Sequence, residues 1–157
     1  MKRAFLLLAL ALVGLATPAF AHEYKVGALV LTHPWTRATP PGAEVAAAYV
    51  KIVNEGDTAD RLVAISSPLA EMGEIHEMKM DGDVMQMRKL EGGLEIAPGA
   101  TVELKPGGFH GMLMKLKESF VKDGAVKATF TFEKAGPIEV ELVVEDMGAT
   151  ESHTGHE

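Results

Sequence analysis

The sequence predicts a single all-β domain, an antiparallel sandwich or barrel, and three observations carry that prediction. Short runs of residues alternate apolar and polar character, the period-2 mark of half-buried strands. Gly and Pro punctuate these runs every 8–12 residues or so, as in sandwiches and barrels. Helical candidates are poor: "LAEMGEIHEMK" is the best of them, and Gly73 interrupts it.

In chain order, "MKRAFLLLALALVGLATPAFA" (1–21) lies outside the fold. Its basic start, an apolar run too short to span a membrane, and small residues before the cut are the layout of a cleaved secretory signal peptide. The domain is expected over 22–147, in an oxidising compartment outside the cytoplasm. Expected strands are "KVGALVLTH" (25–33), "AAAYVKIVN" (46–54), "RLVAISS" (61–67), "EIHEMKM" (74–80) and "VMQMRKL" (84–90). "GLEIAPG" (93–99), "TVELKPGG" (101–108), "HGMLMKL" (110–116), "AVKATFTFEKAG" (125–136) and "IEVELVVED" (138–146) follow. The small, polar end "GATESHTGHE" (148–157) reads as a mobile tail.

Composition narrows function. Without Lys2 and Arg3, 13 basic side chains (15 − 2) face 22 acidic ones, a net charge of −9. That argues against nucleic acid, whose phosphates need Lys and Arg, and favours a cationic ligand. No second apolar run approaches membrane-spanning length. The absence of cysteine excludes a disulfide scaffold, a cysteine nucleophile, an iron–sulfur site and the His₂Cys blue-copper arrangement. Ser66, Ser67, Ser119 and Ser152 have no convincing His/Asp context, and no phosphate loop follows a strand, so no enzyme is indicated.

Any soft ligand must then be methionine. There are nine, and Met72, Met78, Met80, Met85, Met87, Met112 and Met114 crowd into one window. Asp-Gly inside "MKMDGDVMQM" signals a hairpin. His76, Met78 and Met80 share one face of its first strand, and Met85 and Met87 one face of its second. Whether the two faces coincide depends on a register left open by one residue. In "HGMLM", His110 and Met112 share a face. Two imidazoles and two thioethers, His76 with Met87 or Met85 and His110 with Met112, would make a soft four-coordinate site suited to Cu(I). Zinc seldom takes thioether. Against this stands methionine's ordinary use as a core filler, and Met72, Met80 and Met114 taken singly read as core or surface. A metal-free exported interaction module is the alternative.

"HPWTRATPPGAEVAAAYVKIVNEGDTADRLVAISSPLA" and "IHEMKMDGDVMQMRKLEGGLEIAPGATVELKPGGFHGMLMKL" together resemble the periplasmic copper chaperones of the PCu(A)C family. The resemblance runs from about Trp35 to about Val144. Ten residues separate His76 from Met87, and His110-Gly111-Met112 closes the motif. The spacer of 22 residues between Met87 and His110 is one longer than the family's, an addition assigned to "EGGLEIAPG". The resemblance implies a cupredoxin-like Greek-key β-sandwich, expected to be a monomer, with Cu(I) held by His76, Met87, His110 and Met112. It implies delivery to the dinuclear centre of cytochrome c oxidase, directly or beside a Sco-like protein, with storage or tolerance as the other copper role. A secondary Cu(II) site is expected at His22, through its α-amine and imidazole, or at His153 and His156 of the tail. His33 is expected to pack or cap beside Trp35.

Overall fold

The computed structural model describes residues 23–152. Eleven strands follow in order: β1 (Glu23–Val26), β2 (Leu29–Arg37), β3 (Val45–Asn54), β4 (Asp60–Ser66), β5 (Ala70–Asp81), β6 (Val84–Lys89), β7 (Leu94–Ile96), β8 (Thr101–Leu104), β9 (Phe109–Leu116), β10 (Ala125–Phe132) and β11 (Gly136–Glu145). No helix occurs among the described residues, and "LAEMGEIHEMK" is strand. The strands pair in the order β6-β5-β9-β8-β3-β2-β11-β10-β4-β7, with β1 on β2 and a further pairing of β9 with β3. The ladders are antiparallel except for β11 with β2 and β8 with β9, which run parallel.

Strand length follows turn chemistry. The run expected over 25–33 breaks at Gly27, whose φ of 56° forms a tight turn between β1 and β2. β2 itself bulges between Thr32 and Trp35, where His33 takes a φ of 50° and Pro34 offers no N–H. Before the bulge β2 pairs with β1; after it, with β11. His33 is therefore a bulge residue beside Trp35. The runs 93–99 and 101–108 keep only three and four strand residues, because Gly99, Gly107 and their neighbours form turns.

The sheet folds on itself to enclose one apolar core. Alternate residues of β3 (Ala46, Ala48, Val50, Ile52), β10 (Val126, Ala128, Phe130, Phe132) and β11 (Val140, Leu142, Val144) are buried in it. The closure is tightest where β4 crosses β5 and β9. A Cβ on Gly73 would stand 2.0 Å from the Ile65 carbonyl oxygen, and one on Gly111 would stand 2.7 Å from Ile65 Cδ1. Gly73 faces Leu113, and Ile75 faces Gly111, so small and large residues alternate across the β5–β9 pair. Ile65 fills the space the two glycines leave.

Part of the segment expected as a mobile tail is packed. Ala149 is buried against Trp35 and Tyr49, and its carbonyl accepts from Arg37 Nε at 2.7 Å. Residues 153–157 and the expected signal peptide lie outside the described residues.

Gly73→Ala should lower stability by about 1–3 kcal/mol or more, because its methyl meets backbone, which cannot swing aside as a side chain can. Gly148→Ala, which meets nothing within 4 Å, is the control. Equal urea midpoints for both variants would contradict this account of the closure.

Candidate metal centre

The β5–β6 hairpin turns on Gly82-Asp83. Gly82 has a φ of 62° while Asp83 stays in the ordinary region, so glycine holds the first loop position, as in type II′ turns. The Asp81-Gly82 pair thus straddles the strand end. This turn settles the open register: Met80 faces Met85, Met78 faces Met87, and His76 faces Lys89. Directly opposed residues project to the same side. The two methionine faces coincide.

On its other edge, β5 pairs with β9. His76 faces His110, Glu74 faces Met112, and Met72 faces Met114. Core-facing neighbours Ile75 and Leu113 are buried, so this histidine–methionine face is the outer one. Even so, His76 and His110 are only 8% and 6% exposed, with ring centroids 5.7 Å apart. Their surroundings exclude water while their rings remain neighbours across one strand pair.

The hydrogen bonds assign the ring protons. His76 Nε2–H donates to Glu74 Oε2 at 2.8 Å, which leaves Nδ1 as the basic nitrogen. That Nδ1 is buried with no hydrogen-bond partner, the one such side-chain atom among the described residues. Buried polar atoms are nearly always satisfied. His110 Nδ1–H donates to the Gly108 carbonyl at 3.1 Å, leaving its Nε2 lone pair free. Burial lowers the pKa of His110; the Gly108 carbonyl works against this, and His76 adds to it. Glu74 is held below its usual value by hydrogen bonds from His76 and then from Lys89 Nζ, at 3.0 Å. A carboxylate on the far nitrogen of a ligand imidazole is the usual device that orients such a ring.

The thioethers stand around this pair. Met112 lies one diagonal step from His76 and half-buried beside Ala47 of β3. Met87 lies on edge strand β6, 47% exposed and one diagonal step from His76 on the opposite side. Met85 stands one row further out, opposite Met80, so the register favours Met87 as His76's neighbour. Met114 and Met72 continue the face and point away from the core. Met78 received no role from sequence alone. It lines a cleft of about 180 Å³ with Arg37, Tyr49, Pro106, His110 and Met112. Its signal was the two-residue spacing from His76. Glu74, equally unassigned, carried the same signal on the other side. Tyr49 packs in turn on Trp35, with ring centroids 4.4 Å apart and the rings tilted by 37°.

Among the described residues, no three His, Cys, Asp or Glu side chains converge on one point. A cation at the histidine pair would need thioether sulfur to complete its shell. His22, His153 and His156 lie outside the described residues.

Residues 29–144 match the family described as "Putative lipoprotein LpqE-like". A relative from Leifsonia xyli subsp. xyli, "Putative lipoprotein Lxx21020", is 30% identical over 122 residues, 77% of this chain and 72% of that one. Two solved structures share 30% identity at a TM-score of 0.68. They are the apo PCuAC domain from PmoF1, covering 80% of this chain and 99% of that domain, and the copper-bound PCuAC domain from PmoF2, covering 80% and 98%. The solution structure of CuI-DR1885 from Deinococcus radiodurans is 25% identical, with a TM-score of 0.61 over 80% of this chain and 82% of that one. These matches bear out the cupredoxin-like β-sandwich and the PCu(A)C resemblance, and the chain belongs to the LpqE-like family.

Proposed function

We propose that the protein is a copper carrier of the bacterial periplasm that binds one Cu(I) through His76, His110, Met112 and Met87. The observation that carries this reading is the buried, unpartnered Nδ1 of His76, on a ring whose centroid lies 5.7 Å from that of His110. With metal–nitrogen bonds of about 2 Å, rings 5.7 Å apart can share one ion. Soft, neutral sulfur on both flanks favours Cu(I) over harder cations. Thioether carries no proton at any pH, so binding requires only that the two imidazoles be in their neutral form. The copper-bound domain from PmoF2 and CuI-DR1885 support the same cargo.

Delivery follows from the ligand set. His76, His110 and Met112 are fixed by packed strands, whereas Met87 stands half-exposed on an edge strand and on a flexible stem. An acceptor's sulfur or imidazole can replace Met87 first and then draw the ion away. By resemblance, that acceptor is a Sco-like protein or the subunit holding the dinuclear copper centre of cytochrome c oxidase.

The purified chain should take up one Cu(I) in competition with a Cu(I) chelator. A His110→Ala, Met112→Ala double variant should lose that binding, and unchanged affinity would sink the assignment. Glu74→Ala should keep the fold by circular dichroism yet lose about 10–100-fold in Cu(I) affinity, since it frees the His76 ring. Mixed anaerobically with the apo copper domain of the oxidase or with a Sco-like protein, the loaded chain should give up its ion. Copper retained on the chain after separation would remove those acceptors from the proposal.

A further inference from the structure

The outer end of the β5–β6 hairpin carries sulfur that neither the core nor the histidine pair uses. Met80 and Met85 are directly opposed on one face, 53% and 49% exposed, with Met78 and Met87 as the next row inward. A methionine filling a core gap is buried; these are not. Nor does the strand itself call for methionine, because β-branched and aromatic residues suit strands better. The reverse face of the same hairpin is conventionally polar: Arg88 Nε and Nη2 donate to Glu77 Oε2 at 3.0 and 2.8 Å, and Lys79 faces Gln86. The hairpin therefore separates a charged side from a thioether side, both in water.

We propose that Met80 and Met85, backed by Met78, form a second, sulfur-only site for Cu(I), from which the ion passes to the histidine centre. Directly opposed residues hold their Cβ atoms about 4.5–5.5 Å apart, so two thioethers can close on one ion. A thioether-only donor set selects soft monovalent ions and rejects Mg²⁺, Ca²⁺ and Zn²⁺. Rows Met80/Met85, Met78/Met87 and His76 follow at two-residue intervals, roughly 6.6 Å at ~3.3 Å per residue. Each methionine has three rotatable bonds with which to reach the next row. In each step a copper–sulfur bond to Met78 or Met87 forms before one to Met80 or Met85 breaks, and the ion remains Cu(I) throughout. The direction of transfer rests on the histidine-centre reading; the sulfur site does not.

The test is a titration of the chain from His22, labelled with ¹³C at its methionine methyl groups, using anaerobic Cu(I) and, as a redox-inert probe, Ag(I). The first equivalent should move the Met87 and Met112 methyl signals, and the second those of Met80 and Met85. A Met80→Leu, Met85→Leu variant should keep first-equivalent affinity, lose the second-equivalent response and load more slowly from a Cu(I) chelator. Met80 and Met85 signals unmoved through two equivalents would overturn the proposal, as would an undiminished second equivalent in the double variant. Should those signals move while the His76 and His110 ring signals do not, the sulfur site stands and the histidine reading falls.

Discussion

The register of β5 on β9 is the constraint on which the rest of the site depends. His76 meets His110 only because Ile75 and Gly111, Gly73 and Leu113 are paired on the opposite, core-facing side. Those pairs are held in turn by Ile65 of β4, which occupies the room left by the two glycines. A slip of β5 by one residue would turn His76 and Glu74 toward the core and part His76 from His110. Core packing thus fixes the site from behind. No residue of the site needs to spend its own bonding capacity on holding the strands together.

That division of labour explains the electrostatics of the outer face. Each histidine commits one nitrogen to a local oxygen, His76 to Glu74 and His110 to Gly108, and leaves the other without a protein partner. Burial disfavours the charged form of His110, which keeps its lone pair available. Glu74 stays ionised because His76 and Lys89 both donate to it. When a monovalent cation joins neutral imidazoles and thioethers, Glu74 is the nearest negative charge in the strand register. If the proposed site takes a cation, a single carboxylate set back behind one imidazole would attract it without holding it as an anionic cage would. Such a balance suits a carrier.

Much of this was legible in the sequence because its signals are local. Period-2 alternation marks β3, β5, β6, β9, β10 and β11, and the glycine of "DGD" announces the hairpin. The His and Met residues of the proposed site were visible as spacings. What sequence left open was set by tertiary packing. The coincidence of the two methionine faces depends on the II′ turn at Gly82-Asp83, which the Asp-Gly pair alone does not distinguish from a loop shifted by one residue. The bulge at His33 is stabilised by strands β1 and β11, which arrive from opposite ends of the chain. Ala149 packs because Trp35 and Tyr49 form a surface for it, and nothing in "GATESHTGHE" advertises that partner. Met78 and Glu74 gain their roles only from the neighbouring strands. Period 2 places a residue on a face, but only the neighbouring strand decides what it faces there.

The hairpin shows why an exposed soft surface can be kept safely on a strand edge. An open, apolar edge invites pairing with another chain. Here β6 is an edge strand six residues long, exposed throughout, and it carries two methionines, Met85 and Met87, opposite Met80 and Met78 of β5. Charge on the reverse side, with Arg88 bound to Glu77 and Asp81 accepting from Gln86 at the tip, opposes stacking of one hairpin on another. Methionine is unbranched, flexible and polarisable, lacking the rigid branched surface that locks two sheets together. Isoleucine or valine at these positions would serve the strand better and the solution state worse. Methionine is the side chain that leaves the edge soluble while still presenting a ligand, so the same feature that makes the surface poor as a core makes it suited to passing a soft ion.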